Sequence, residues 1–348
     1  MTPTKPALTD WSIGQFGDLT QLPGAPSFVG ASVRRWVLQR AVVDFAQMTD
    51  LSKELRSTLD RDYRVTRTTI VEHRQEHDGT HCLVLGLDDD DTIETVLIPD
   101  AERLTLCLST QVGCPVACVF CASGAFGLKR QLSSGEIVEQ VLHARRVLGE
   151  RPLTNIVVMG IGEPLLNLDN LLRALEVINH ADGVRIGARR ITVSTVGFPD
   201  RIRRLAELGH QFNLAISLHA PTDELRRDLI PHGGQATIEE LIAAARMYQD
   251  MTGREVTFEY VLLHDLNDRL AHARMLGQLL AGFPCTVNLI PLNPVAFLPY
   301  RTPPEAVCRA FREELRRHGL KVTQRRPRGR GIAAACGQLR LAVAKRMG

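Results

Sequence analysis

The sequence predicts an α/β protein in which a small N-terminal region precedes a larger core built on a parallel sheet. From about residue 103 onward, apolar and β-branched runs alternate with helical periods. The runs lie at 104–109, 155–160, 190–195, 213–219, 256–263 and 286–292, and a further run at 321–326 predicts an edge strand. Because helices separate these strands, right-handed crossovers and a parallel sheet are expected. Such a sheet is either doubly wound or curled into a partial barrel.

The N-terminal region has a different pattern. Residues 64–98 alternate apolar and polar positions and are interrupted by a turn at Asp78 and by an acidic turn, which predicts a small antiparallel meander. We therefore predict two domains, an accessory domain at 1–100 and a core domain at 101–348.

The helices are predicted from their periodicity and their start signals. Residues 31–60 predict short helices, one of which is capped at its N-terminus by Thr49 or Asp50. In the core, Ser133 and Glu136 have the spacing of a capping box, which predicts the start of the first core helix. The other core helices are predicted at 169–180, 200–209, 237–252, 268–281 and 304–318.

Composition and charge narrow the class of protein. The chain has 348 residues, of which 44% are hydrophobic and 23% charged, as is typical of a globular protein. The N-terminus has no signal-peptide pattern, and no run approaches about 18 apolar residues, so we expect a cytoplasmic protein without a membrane span. Its eight cysteines then favour reduced thiols and metal chemistry over disulfides. The basic stretch at 312–331 fits either a nucleic acid or a solvated surface.

Three closely spaced cysteines are the most informative residues of the core. Cys114, Cys118 and Cys121 follow the first predicted core strand with the spacing C-x3-C-x2-C. Thiolates are soft ligands that select an iron–sulfur cluster, zinc or Cu(I). Three ligands leave one coordination position open for chemistry. The alternative is that these cysteines pack as small hydrophobic residues, but their close spacing favours metal ligands.

Polar residues and glycines recur where the later strands end. In parallel β/α folds, ligands bind beyond the carboxyl ends of the strands. The residues at this edge are Gly162, Glu163, Ser194, Ser217, Leu218, His219 and Asn293. Each of them has a plain structural explanation as a turn or strand end, but their shared location predicts one pocket next to the cysteines.

The cysteine spacing after a first core strand resembles the radical S-adenosylmethionine (SAM) superfamily. The segments ETVLIPDAERLTLCLSTQVGCPVACVFCASG, MGIGEPLLN, STVG, SLHAP, NLIPLNP and AACGQL, with FAQMTDLSKELR near the N-terminus, resemble more narrowly the RNA adenine methyltransferases of the RlmN/Cfr group. The resemblance covers almost the whole chain. It implies a (β/α)6 partial TIM barrel, preceded by an accessory domain that binds RNA. It also implies that the three cysteines hold a 4Fe-4S cluster, whose open iron binds SAM within the predicted pocket.

The resemblance assigns roles to three residues outside the cluster. It implies that one SAM methylates Cys336, and that a second SAM provides the radical that takes hydrogen from this S-methyl group. The methylene radical then adds to adenine, Cys107 resolves the adduct through a disulfide with Cys336, and Glu94 accepts the ring proton. Carbon 2 of adenine is electron-poor and no nucleophile, so a radical route is chemically reasonable, and release of the adduct needs thiol chemistry.

The implied substrate is an adenosine of 23S rRNA, with tRNA as a further substrate. The motifs favour methylation at carbon 2, and the alternative is carbon 8. Two other classes remain as alternatives: a radical SAM activase that makes a glycyl radical, and a non-catalytic iron–sulfur protein that binds RNA. We expect a monomer that receives electrons from a donor such as flavodoxin or ferredoxin.

Two positions depart from the family's motifs. Gly331 stands where the family commonly has Asp, and Ile161 replaces Met in the glycine-rich turn. The first change alters the segment before Cys336 and leaves room for a different RNA target. The remaining cysteines match no motif and are interpreted as structural; they are Cys82, Cys285 and Cys308.

Overall fold

A large sheet flanked by helices forms the frame of the protein in the computed structural model, which describes residues 5–233, 236–326 and 328–339. Residues 340–348 of the predicted core domain lie outside the described residues. The strands are β1 (Thr69–Gln75), β2 (His81–Gly86), β3 (Thr92–Asp100), β4 (Arg103–Cys107), β5 (Gln111–Gly113), β6 (Leu128–Gln131), β7 (Asn155–Val158), β8 (Ile191–Thr195), β9 (Asn213–Ser217), β10 (Val256–Leu262), β11 (Cys285–Pro291) and β12 (Lys321–Gln324). The α-helices are α1 (Val29–Arg34), α2 (Lys53–Asp62), α3 (Ser134–Leu148), α4 (Leu168–Asn179), α5 (Pro199–Glu207), α6 (Asp223–Leu229), α7 (Ile238–Thr252), α8 (Leu270–Leu279) and α9 (Glu305–Arg317).

The strand order confirms the predicted parallel core. The sheet runs β1-β2-β3-β4-β7-β8-β9-β10-β11-β12, and every pair from β4 to β12 is parallel. The predicted meander is formed by β1, β2 and β3, which pair antiparallel. Because β3 also pairs with β4, hydrogen bonding is continuous across the predicted boundary at residue 100. The boundary itself stays a prediction.

The sheet is curled into a partial barrel. One cavity of about 670 Å³ is lined by side chains that include Ile98 on β3, Thr105 on β4, Thr192 on β8, Thr257 on β10 and Thr323 on β12. Strands β3 and β12 are far apart in the strand order, so they line one cavity only if the sheet curves around it. This curvature selects the barrel over the doubly wound alternative.

One helix start was predicted wrongly. The N-cap of α2 is Ser52, whose hydroxyl accepts from the backbone N–H three residues later at 3.2 Å. Neither Thr49 nor Asp50 caps this helix. The Asp50 carboxylate instead accepts hydrogen bonds from the side chains of Arg35 and Trp36, which ties it to the segment after α1. The predicted N-cap therefore belonged to the right class of residue, but the helix begins two or three positions later in the sequence.

The other core helices were predicted to within two residues at each end. The capping box of Ser133 and Glu136 is present at the start of α3. Helix α6 and the β5–β6 hairpin were not predicted. No helix within the described ranges is long and apolar enough to cross a membrane. The main hydrophobic core is continuous from the N-terminal helices to the barrel strands, since Leu8, Leu59, Val141 and Phe258 belong to one packed cluster.

Candidate active site

The three clustered cysteines lie in the loop that follows β5, at the carboxyl end of the barrel. All three line one cavity of about 170 Å³. The loop is held by backbone hydrogen bonds, among them Cys114 N to the Gly127 carbonyl at 3.0 Å and Cys121 N to the Cys118 carbonyl at 3.1 Å. Gly124 is required here because a Cβ would lie 2.9 Å from the Cα of Ala117. The loop is therefore closely packed around the thiols.

The surroundings of these thiols suit a metal centre. Burial raises the pKa of Cys114 to about 12 and also raises the pKa values of Cys118 and Cys121, so these thiols are protonated at neutral pH when no metal binds them. Among the described residues, no three His, Cys, Asp or Glu side chains converge as the ligands of a single metal ion do. In a 4Fe-4S cluster each thiolate binds a different iron. Three thiol donors that line one cavity fit such a cluster.

The glycine-rich turn after β7 forms another wall of this cavity. Gly162 has φ +111°, and a Cβ there would lie 2.7 Å from the Cβ of Gln111. The amide of Gln111 fixes the turn, because its Oε1 accepts from the Glu163 backbone N–H at 2.7 Å. The turn thus presents backbone to the cavity at a point where a side chain would not fit.

The Glu163 carboxylate holds the end of the neighbouring strand. It accepts from the Thr195 hydroxyl at 2.7 Å and from the backbone N–H groups of Val196 and Leu165 at 2.9 and 3.0 Å. Burial raises its pKa to about 7, and these hydrogen bonds oppose the shift. Its side chain therefore links the ends of β7 and β8.

Most of the other predicted strand-end residues meet at the same cavity. Ser194, Ser217, His219 and Asn293 line it together with the cysteines. Burial lowers the pKa of His219 to about 3, which keeps the ring neutral, and its Nδ1 accepts from Val261 N at 3.1 Å. Leu218 does not line this cavity. Its side chain packs in the hydrophobic core, and its backbone N–H donates to the Glu259 carbonyl.

Cys107 and Cys336 lie together although 229 positions separate them in the sequence (336 − 107). Both thiols are free, and both line a second cavity of about 70 Å³, of which Cys121 is also part. Burial raises the pKa of Cys107 to about 12; the nearby Cys336 sulfur adds to the shift, and the Arg325 guanidinium opposes it. Cys336 also lines the first cavity, so it lies between the cluster loop and Cys107.

Three hydrogen bonds tie the segment that carries Cys336 to two loops of the site. The Asn293 amide donates to the Cys336 carbonyl at 3.2 Å, and the Gln338 amide donates to the Pro294 carbonyl at 2.7 Å. On the other side, the Ala122 backbone N–H donates to the Gly337 carbonyl at 2.8 Å. These contacts hold the segment between the cluster loop and the loop after β11.

Glu94 lies on β3, beside the strand of Cys107. Because Val96 pairs with Cys107, Glu94 lies two residues away on the same face of the sheet. Its side chain is buried, and Arg74 Nη2 donates to its Oε1 at 2.6 Å. Glu94 itself lines neither cavity. The Arg74 Nη1 donates to the Ile332 carbonyl at 2.6 Å, so one guanidinium connects Glu94 with the Cys336 segment.

Sequence reasoning missed two residues that organise the site, Arg74 and Gln111, and it placed Arg325 only in the basic stretch. Arg325 lies inside the predicted basic stretch and lines both cavities, and the adjacent Cys336 sulfur raises its pKa. Arg74 and Gln111 carried no signal, because their roles depend on contacts that only the folded chain creates.

The basic stretch forms part of a groove next to the site. A cavity of about 760 Å³ is lined by arginines of this stretch and by one acidic residue; these are Arg312, Arg316, Arg325, Arg326, Arg330 and Glu305. Arg325 and Arg326 also line the cavity of Cys336. A positively charged path of this kind suits a phosphate backbone, and it adjoins the cavity of Cys107 and Cys336.

Comparisons with known proteins extend over both parts of the chain. The model of the radical SAM superfamily matches residues 108–276, and the model of the ribosomal RNA large subunit methyltransferase N-terminal domain matches residues 7–65. The N-terminal match supports an RlmN-type region ahead of the barrel.

Individual proteins are similar over nearly their full length. A probable dual-specificity RNA methyltransferase RlmN of Rhodopirellula baltica is 45% identical over 97% of this chain and 91% of its own. The protein of the same name from Geobacillus kaustophilus is 43% identical over 97% of this chain and 93% of its own. The crystal structure of a radical SAM methyltransferase from Sphaerobacter thermophilus matches with a TM-score of 0.93 and 44% identity, covering 96% of this chain and 99% of that one.

Proposed function

Since the chain belongs to the RlmN family of radical SAM RNA methyltransferases, we propose that it methylates carbon 2 of an adenosine through an S-methylcysteine on Cys336. The proposed substrate is 23S rRNA, with tRNA as a second substrate. The observation that carries the proposal is the shared cavity of Cys107 and Cys336 beside the cluster cysteines. A radical SAM activase has no use for two free cysteines at this place.

The cofactors would be held by residues of the first cavity. Cys114, Cys118 and Cys121 would bind a 4Fe-4S cluster, and the glycine turn with the strand-end residues would bind SAM at its open iron. Together these groups supply a 5′-deoxyadenosyl radical. We propose that two SAM molecules are used in each turnover, because Cys336 must receive its methyl group before the radical can act on it.

Cys336 carries the methyl group through the reaction. Its thiolate attacks the methyl carbon of SAM, so a sulfur–carbon bond forms on Cys336 and the bond to the sulfonium breaks. After hydrogen has been removed from this methyl group, Cys336 is joined through a methylene to the base. Its position between the cluster loop and Cys107 suits both stages.

Glu94 and Cys107 complete the transfer. Glu94 accepts the proton from the ring carbon, and the hydrogen bond from Arg74 fixes the position of its carboxylate. The adduct must also give up one electron to restore the aromatic ring, and the oxidised cluster would be its acceptor. The Cys107 thiolate then attacks the Cys336 sulfur. The bond between Cys336 and the methylene breaks, its electron pair remains on carbon, and a proton completes the new methyl group. The resulting disulfide needs two electrons before the next turnover, and flavodoxin or ferredoxin is the proposed class of donor.

The test uses the full chain with its cluster reconstituted under anaerobic conditions. A 23S rRNA fragment and tRNA are incubated with SAM carrying a deuterated methyl group and with dithionite, and nucleosides are analysed by mass spectrometry. We expect labelled 2-methyladenosine. 8-Methyladenosine would place the chain in the carbon-8 branch, and failure to cleave SAM would favour a non-catalytic RNA-binding protein.

Variants separate the roles of the cysteines. Cys336→Ala abolishes methylation and leaves no S-methylcysteine, whereas Cys107→Ala accumulates a covalent adduct of protein and RNA that migrates slowly in denaturing gels. Cys285→Ala is the matched control, because Cys285 is buried on β11 and lines neither cavity. Absence of S-methylation at Cys336 in an enzyme that cleaves SAM would contradict the proposed mechanism.

A further inference from the structure

Two exposed phenylalanines lie together on the two loops that border the site. Phe126 is 45% exposed and Phe297 is 48% exposed, and their ring centroids lie 6.2 Å apart at an interplanar angle of 71°. Among the described residues, only one other phenylalanine, Phe28, is similarly exposed. Single exposed apolar residues are ordinary, but a pair of aromatic rings open to solvent beside a reactive centre suggests a partner that covers them.

The pair is carried by the two loops that hold the Cys336 segment. Phe126 precedes Gly127, whose carbonyl accepts from the backbone N–H of the cluster ligand Cys114. Phe297 lies in the turn after β11, where Leu298 N donates to the Val295 carbonyl at 3.0 Å. The same two loops bind the Cys336 segment on either side, at Ala122 and at Asn293. The rings therefore bridge the two loops next to the methyl-carrying cysteine.

We propose that Phe126 and Phe297 form a stacking site for an unpaired base of the RNA that neighbours the target adenosine. A base whose ring carbon is to be modified must leave its helical stack, which also exposes its neighbours. Aromatic side chains bind such bases with little regard to sequence, because every base has a flat π face. This inference rests on the proposed function, since it takes the substrate to be RNA.

Charge favours RNA over a protein partner on this surface. The Arg330 guanidinium donates to the Asn293 side chain at 2.8 Å and to the Leu292 carbonyl at 3.3 Å, so the arginine groove begins on the loop that carries Phe297. Aromatic rings next to a row of arginines are the combination that binds single-stranded nucleic acid. In this arrangement the groove holds phosphates and the rings hold a base.

The experiment compares Phe126→Ala, Phe297→Ala and the double variant with the parent enzyme. Binding of fluorescein-labelled 23S rRNA fragment and tRNA is followed by anisotropy, and kcat and KM are measured with dithionite as reductant. Loss of one stacked base raises the Kd and KM of the double variant by roughly fivefold to 150-fold. Methylation of Cys336 without RNA stays unchanged, and so does the salt dependence of binding, because no charge is removed.

Matched variants test whether stacking is responsible. Phe→Trp at both positions retains affinity, whereas Phe→Leu behaves like Phe→Ala although it keeps apolar bulk. Met251→Ala is the control for loss of an exposed apolar side chain, because Met251 is 49% exposed near the end of α7 that leads into β10, away from the carboxyl ends of the strands. It leaves Kd and KM unchanged.

Several outcomes would overturn the inference. The inference fails if the double Ala variant keeps the Kd and KM of the parent enzyme. It also fails if the Phe→Leu and Phe→Trp variants have the same Kd and KM. A defect seen only when flavodoxin replaces dithionite would instead assign the pair to the electron donor. If the parent enzyme binds RNA without methylating it, the proposed function fails, yet loss of binding in the double variant still supports the stacking site. If the parent enzyme binds neither RNA, both proposals fail.

Discussion

Replacing Arg74 by Met is expected to destabilise the protein because it breaks a buried ion pair. Glu94 is 1% exposed, and Arg74 donates to its carboxylate at 2.6 Å. Removing one partner of a buried pair typically costs about 3–5 kcal/mol. The Arg74 side chain is itself 17% exposed, so water screens part of this cost and the lower end, about 3 kcal/mol, is expected. The lost hydrogen bond to the Ile332 carbonyl also loosens the Cys336 segment.

A double-mutant cycle separates the ion pair from other effects of the substitution. Glu94→Gln removes the buried charge, so Arg74→Met should cost at most about half as much in that background. The free energy of unfolding is measured with guanidinium chloride on the reduced protein without its cluster. Arg204→Met is the control, because the Arg204–Asp169 pair is exposed and is expected to contribute less than about 1 kcal/mol. Equal costs for the two arginine variants, or strict additivity in the cycle, would refute the reasoning.

Three further predictions concern other parts of the chain. Burial lowers the pKa of His143 to about 4, so its neutral ring stabilises the folded state above pH 6.5, and this stabilisation is lost as the pH falls. Between pH 7.5 and 5 the parent protein should therefore lose about 2 kcal/mol more stability than His143→Gln, as measured by denaturant unfolding at both pH values. Gly331→Asp should lower the free energy of unfolding by about 1 kcal/mol, because a Cβ there would lie 2.5 Å from Glu76 Oε1 and would displace the carboxylate that accepts from the Gly331 backbone N–H at 2.9 Å. In a Glu76→Ala background, where this hydrogen bond is already absent, denaturant unfolding should show a smaller cost. Ser133→Ala should lower the free energy of unfolding by about 1 kcal/mol, because it deletes the N-cap of α3, and an unchanged value would show that the cap is dispensable.

The periodic parts of the fold could be predicted from the sequence because their signals are local. The β-branched runs became β4, β7, β8, β9, β10 and β11 with their ends shifted by a few residues. Two of these shifts fall at carboxyl ends of strands, where Gly160 and His219 leave the ladder and line the cavity. The N-cap of α2 was misplaced because Asp50 has equal capping ability, and only its contacts with Arg35 and Trp36 show that it serves elsewhere.

The sequence alone determined which reactive side chains the protein has. Three cysteines at close spacing can be recognised in any fold, since their chemistry depends on the thiols and on short distances along the chain. The family resemblance extended this to Cys107, Cys336 and Glu94. Whether these groups meet was decided only by the tertiary structure.

Curvature of the sheet is the physical reason for that difference. It brings residues 229 positions apart, Cys107 and Cys336, into one cavity and places Arg74 between Glu94 and the Cys336 segment. It also joins the two loops that carry Phe126 and Phe297. These long-range contacts depend on strand order and side-chain packing, which local sequence patterns do not encode. The sequence therefore determined the chemistry that is available, and the folded barrel decided where that chemistry is brought together.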